Sequence, residues 1–369
     1  MPHYFDYNAT TPMSDVAREA WLTASTKHWQ NPSSLYRDAG FASHALEAAR
    51  ERLATQLGCE AARIVFTSGA TEANNALFAK QQGNVLISAI EHPSVREAAR
   101  GWLGADRAHE VPVDAQGIVQ PAALETALAR HQPSLVSVMA ANNESGTLQP
   151  WRELLAICRK HRAPFHTDAT QWIGKCFTPQ LGDCDYLTGS AHKFGGPKGT
   201  GFLVLQDEDE PLHLLRGGPQ ENGRRAGTEN YPAIEAMVTA LEHINERVDA
   251  VAQVQAPLLH NFEQRMRSSF PGLRIISEAA PRLWNTSLMV MPAMSNLKWL
   301  IALSKLGFNI STGSACSSGK EGSSVVVRAL GASAEELRRV VRISGGWDTT
   351  AQEWNALFEA FVKSAPHIA

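Results

Sequence analysis

The strongest constraint on the fold is a run of short apolar segments separated by helical patterns. IVFT (64–67), VLISAI (85–90), LVSVMA (135–140), PFHTDAT (164–170), DYLTGS (185–190) and GFLVLQ (201–206) have strand length and apolar character. Their apolar residues are nearly continuous rather than alternating, so both faces of each strand should be covered. Amphipathic helical text lies between several of them. In segment 44–57, Leu46, Ala49, Leu53 and Leu57 recur at three- and four-residue intervals, and Gly58 stands where a C-cap belongs. Helical patterns recur around 122–130 and 151–162. Strands alternating with helices predict an α/β fold with a mostly parallel sheet.

The pattern changes after about residue 230. Residues 233–269 form a long helical stretch with a break expected near Pro257. LRIISE (273–278) and NTSLMVM (285–291) read as strands of a smaller α+β unit. We expect a large α/β domain over 15–250 and a small α+β domain built from 1–14 and 251–369. A chain of 369 residues is long enough for both.

Composition narrows the function classes. The net charge of -3 gives no electrostatic reason to expect nucleic acid or an anionic membrane. No apolar run is long enough to span a bilayer. The opening MPHYFDYNATTP lacks the basic start and apolar run of a secretory signal, so the expected location is the cytoplasm. The five cysteines are odd in number and match no metal-site spacing, so no metal is expected. Cys158 sits in an apolar-periodic run and reads as core, and Cys59, Cys176 and Cys184 read as structural.

Three segments carry chemistry. In TGSAHKFGGPKG (188–199), Lys193 follows a strand and precedes a glycine-rich loop. Ligands bind at the carboxyl ends of strands in such sheets, and a lysine delivered there can form a Schiff base with an aldehyde cofactor. Alone, it reads as a surface lysine in a turn. In HTDATQWIGK (166–175), Asp168 ends an apolar run and Gln171 follows. A pyridoxal ring needs a carboxylate beside its nitrogen, although Asp168 alone also reads as a helix N-cap. TSGATEANN (67–75) runs from a strand through small residues into a helix, a turn suited to phosphate. It lacks the ending of a Walker A loop.

These segments belong to a longer series: DYNATTP (6–12), NPSS (31–34), FTSGATEANN (66–75), EHPSV (91–95), NNESG (142–146), HTDATQ (166–171), SAHKFGGPKG (190–199), GRRAGTEN (223–230), STGSACSSG (311–319) and VRALG (327–331). In this order, across almost the whole chain, the series resembles the cysteine desulfurases of the class V aminotransferase superfamily, of the nitrogen-fixation and iron–sulfur-cluster type. The resemblance implies a pyridoxal 5'-phosphate (PLP) enzyme acting on L-cysteine. Lys193 would bind the cofactor covalently and shuttle protons. His92 would stack on its ring and act as an acid or base. Asp168 would pair with the ring nitrogen, and Gln171 with the ring hydroxyl. Ala70, Thr71, Ser190 and His192 would hold the phosphate, with Thr228 reaching it from the partner subunit of a homodimer. Asn143 and Arg342 would bind the substrate carboxylate, a task that suits the planar guanidinium.

Cys316 lies in STGSACSSGKEG (311–322), a composition of loops rather than cores. The resemblance makes it the thiol that accepts the sulfur as a persulfide, releases alanine and passes the sulfur to an acceptor protein. Two features depart from the family. RISGGWDTT (342–350) has Gly345 where a bulkier apolar residue is usual and Trp347 where a basic residue is usual. The chain also stops at Ala369, short of the tail through which cluster-assembly desulfurases commonly dock, which leaves thio-modification and cluster assembly both open as destinations. Rival readings are a selenocysteine lyase, another enzyme on the same fold, and a non-catalytic binding subunit.

Overall fold

Apolar runs pair into one central sheet because a neighbouring strand satisfies the backbone N–H and C=O groups along each edge, while helices cover the two faces. The computed structural model describes residues 3–212, 215–313 and 324–365; Cys316 lies outside them. The strands are β1 (His3–Tyr4), β2 (Ile64–Thr67), β3 (Val85–Ser88), β4 (Ala108–Val111), β5 (Leu135–Ser137), β6 (Phe165–Asp168), β7 (Tyr186–Ser190), β8 (Gly201–Val204), β9 (Arg274–Ile275), β10 (Thr286–Val290), β11 (Phe308–Asn309) and β12 (Val340–Ser344). Seven of them form the sheet β2-β8-β7-β6-β5-β3-β4. Pairs β3/β4, β3/β5, β5/β6 and β6/β7 are parallel, while β8 runs antiparallel to β7 and β2. The expected mostly parallel α/β sheet is therefore present, with one reversed strand. Residues of β2, β3, β5, β7 and β8 are buried throughout, as continuous apolar text requires.

Helices α1 (Asp15–Lys27), α2 (Arg37–Leu57), α3 (Ala70–Ala79), α4 (Pro93–Leu103), α5 (Pro121–His131), α6 (Trp151–Lys160), α7 (Tyr231–Asn245) and α8 (Val248–Ser269) supply the cover. Gly58 does cap α2 in the left-handed conformation, at φ 73°. The parallel connections through α4, α5 and α6 leave the carboxyl ends of β2, β3, β5, β6 and β7 along one edge.

The C-terminal part builds a three-stranded antiparallel sheet, β12-β10-β9, and a parallel pair, β1-β11. Two expectations need correction. The long helical stretch does not break near Pro257, which lies inside α8; it breaks at Glu246–Arg247. The break falls where burial changes partner. Ile244 packs in the core around the central sheet, whereas Leu259, Phe262 and Met266 pack with Phe5, Trp299 and Phe361 in a second core. The run 273–278 pairs only through Arg274–Ile275, because Ser277 turns away at φ 57°.

Gly345 and Gly346 belong with their bulky neighbours. A Cβ on Gly345 would meet Trp354 at 2.7 Å, and one on Gly346 would collide with the Tyr7 ring. Trp347 packs edge-on against Tyr7 at 5.7 Å. The Trp354 ring fills the space beside Gly345, and β12 keeps all five of its pairs with β10.

Candidate active site

One cavity of about 800 Å³ opens at the carboxyl ends of the central strands. Ala70 and Thr71 reach it from the turn after β2, His92 from β3, Asp168 and Gln171 from β6, and Ser190, His192 and Lys193 from β7. Asn143 and Arg342 line it as well. Thr228 is exposed and is not among the lining residues.

The turn after β2 is shaped by close backbone approach. Gly69 has φ 151°, and a Cβ on Gly201 would lie 2.6 Å from the Gly69 Cα. Gly69 caps α3 without a side-chain hydrogen bond. The first-turn N–H groups of a helix have no intrahelical acceptor, so this end favours an anion. Across the turn, His192 Nδ1 lies 3.1 Å from Thr10 Oγ1. Burial, then the charges of Lys193, Lys198 and Lys175, push the His192 pKa down to about 4. A neutral imidazole beside three lysines marks a strongly positive corner.

Lys193 Nζ donates to the carbonyls of Asn8 at 2.6 Å and Ala9 at 2.8 Å. Asp168 is buried; its Oδ1 accepts from the Thr170 N–H, and its Oδ2 from Asn74 Nδ2, both at 3.0 Å. Asn74 is a junction. Its second amide hydrogen goes to Ser94 Oγ, and its carbonyl accepts from Thr188 Oγ1. Ser94 in turn approaches His92 Nδ1 with both its N–H, at 3.1 Å, and its hydroxyl, at 2.8 Å. A backbone N–H can only donate, so Nδ1 accepts. Burial also pulls the His92 pKa down. The neutral ring therefore carries its proton on Nε2 and offers a proton, not a lone pair, from that atom.

Arg342 is 2 % exposed. Its guanidinium donates to Asp6 Oδ1 at 2.6 Å, to the Asn143 carbonyl at 2.9 Å and to the Gly313 carbonyl at 3.1 Å. Its Nε is buried without a partner, as are Thr170 Oγ1 and Glu91 Oε2, which line the same cavity. Buried polar atoms are normally paired, so these three suit a polar ligand. Burial raises the carboxyls of Glu91, to about 8, and Glu144.

The motifs contained further residues to which the sequence attached no role. Asn8 and Asp6 stand in DYNATTP, Asn74 in FTSGATEANN and Glu144 in NNESG. Their partners lie as far as 336 residues away, as in Asp6–Arg342, and no local spacing encodes such pairings.

The family model for aminotransferase class-V matches residues 3–357. The chain belongs to that family. A cysteine desulfurase of Rhodobacter capsulatus is 38% identical over 361 residues, covering 95% of this chain and 93% of the relative. Among solved structures, a NifS-like protein superimposes with a TM-score of 0.90 at 31% identity, covering 100% of both chains. A structure described as SspA in complex with cysteine has a TM-score of 0.79 at 31% identity, covering 93% of this chain and 98% of its own. This class V aminotransferase thus has an enzyme's fold. Among the described residues no helix is long and apolar enough to cross a membrane, and no cluster of His, Cys, Asp and Glu could hold a metal ion.

Proposed function

We propose that the chain is a PLP-dependent cysteine desulfurase. The observation that carries the reading is the convergence of Lys193, Asp168 and the α3 turn on one cavity, from the carboxyl ends of β7, β6 and β2. The relatives named cysteine desulfurase, and the SspA structure with cysteine, support the substrate.

The residues present fit the cofactor. The α3 turn, Ala70, Thr71, Ser190 and His192 would take its phosphate, Asp168 its ring nitrogen, Gln171 its ring oxygen and Lys193 its aldehyde. When bound, PLP supplies an electron sink for the carbon next to the substrate amine. The other roles belong to this chain. Lys193 takes the proton from the substrate Cα and returns it. His92 covers the ring as a neutral imidazole. Arg342 and Asn143 hold the substrate carboxylate. The Cys316 thiolate attacks the substrate sulfur: the Cβ–S bond breaks, an S–S bond forms on Cys316, and Cβ gains a proton to give alanine.

A homodimer and a cytoplasmic location complete the reading, with a scaffold or thio-modification carrier protein as sulfur acceptor. Exposed Trp29, Leu35, Tyr36 and Phe41 support an apolar contact between copies, and Thr228 would contribute to the partner's phosphate site. The two-domain division, 15–250 against 1–14 with 251–369, is supported by the second core, which joins Phe5 to residues 259–361.

The test gives purified, PLP-loaded protein L-cysteine and a reducing thiol, and assays sulfide and alanine together. Equal amounts, lost in Cys316→Ala, are expected. Lys193→Ala should lose the covalent cofactor bond and roughly 10²–10⁴-fold in rate. Sulfide at the normal rate from Cys316→Ala would overturn the persulfide step, and no alanine from a yellow protein would redirect the search to selenocysteine.

A further inference from the structure

Lys175 lies just beyond β6 and is 4 % exposed. Its Nζ donates to Gln171 Oε1 at 2.8 Å and to the Gln171 carbonyl at 3.4 Å. Among the described residues its ammonium has neither an ion pair with a carboxylate nor an acceptor outside Gln171. Burial, with Lys193 and Arg342 adding to it and Cys176 opposing, pulls its pKa from 10.5 to about 7. A buried ammonium without a counter-charge is costly. A methionine of similar length would fill the same space without that cost, so packing does not account for the lysine.

An ammonium can distinguish the two ends of an amide. In its protonated form Lys175 only donates, so that form holds Gln171 Oε1 toward it. The Gln171 NH₂ is then directed the other way, where one N–H reaches the Asn8 carbonyl at 2.9 Å. That carbonyl also accepts from Lys193 Nζ. Among the described residues the second N–H of Gln171 has no partner, and Gln171 lines the cavity. Trp284 Nε1 donates to the Lys175 carbonyl at 2.9 Å and pins the backbone beneath this pair.

We propose that Lys175 is a positioning residue: it locks the Gln171 amide so that an N–H, polarised by the ammonium behind it, is presented to the ring oxygen of the cofactor. The proposal rests on the PLP reading above. Through Gln171, the lysine also lends positive charge to an oxygen that becomes anionic when it loses its proton. Neither Lys175 nor its charge touches the cofactor directly.

The experiment titrates cofactor-free protein with PLP and with 3-deoxypyridoxal 5'-phosphate, which lacks the ring oxygen, and reads each dissociation constant by equilibrium dialysis. Lys175→Met is expected to weaken PLP binding about tenfold, the size of one lost charge-assisted hydrogen bond, and to leave the deoxy analogue within about twofold. The absorption maximum of the PLP-loaded variant should shift as well. Should Lys175→Met fail to fold, Lys175→Gln, which keeps an N–H donor but no charge, decides, with a smaller loss confined to PLP. Equal weakening of both ligands in either folded variant, or of neither, would overturn the proposal. Wild-type protein that binds neither ligand would instead break the PLP reading itself.

Discussion

The two walls of the cavity handle buried charge in opposite ways. On the wall made by β12, Arg342 is enclosed with its charge matched by the Asp6 carboxylate and two carbonyls, and only its Nε is left without a partner. At and behind the carboxyl ends of the central sheet, burial outweighs the opposing charges: His92, His166, His192 and Lys175 are all pushed toward their neutral forms, although Asp168 favours the charged form of His92 and His166. A guanidinium cannot give up its proton, so it must be paired. Imidazole and ammonium can, so among the described residues none of these four forms an ion pair with a carboxylate, and their protonation can adjust. One wall is a fixed anchor for an anion, and the other is a set of groups whose charge a ligand can alter.

Arg342→Ala tests the anchor most severely. It should cost about 3–5 kcal/mol, because removing one member of a buried pair strands the other. Urea denaturation gives the number; a loss under about 1 kcal/mol would mean that the pair behaves like a surface bridge and that the contrast between the walls is false.

The second wall is tested by pH. His166 is fully buried between Ser137 Oγ and Thr188 Oγ1, at 2.8 and 3.2 Å, with Asp168 as the nearby charge. Its folded pKa, about 4, lies below the ordinary 6.5. Between those values the unfolded chain takes up a proton and the native state does not. Stability should therefore fall as pH drops from 6.5 to 4, by up to about 3 kcal/mol. Thermal unfolding of wild type and His166→Gln across that range measures the difference. A variant that loses stability as steeply as wild type would remove His166 from the account.

The close packing of Gly345 against Trp354 has a smaller expected effect. Gly345→Leu should destabilise by about 1–3 kcal/mol through overpacking against Trp354, and Trp354→Ala should relieve part of that penalty. Additive losses in the double variant would show that the two positions do not share space. Ser94→Ala should have the least effect, about 0.5–1.5 kcal/mol. His92 keeps the Ser94 backbone N–H on Nδ1, so its Nε2–H tautomer should persist in the ¹⁵N spectrum of the histidine-labelled protein. A switch to Nδ1–H would show that the hydroxyl, not the backbone, sets the tautomer.

Much of this was legible in the residues. The six apolar runs of the central sheet all became strands, and their motifs brought Lys193, Asp168, Gln171, His92 and the α3 turn to one edge. The reason is topological: in a parallel sheet every strand that ends in a motif ends on the same side. The 108–111 strand was missed because AHEV has little apolar character. The helix break was misplaced because Pro257 is a local signal, while the break at Glu246–Arg247 follows from which core each turn meets.

By itself, then, the sequence determined the fold class, the family and several of the residues that line the cavity, since periodicity and ordered motifs are properties of neighbouring residues. Only the tertiary structure decided that Asp6 pairs with Arg342, that Asn74 joins Asp168 to His92, and that Lys175 turns the Gln171 amide. Each of these depends on which atoms are buried together, and hydrogen-bond direction and desolvation exist only once distant segments have been brought into contact.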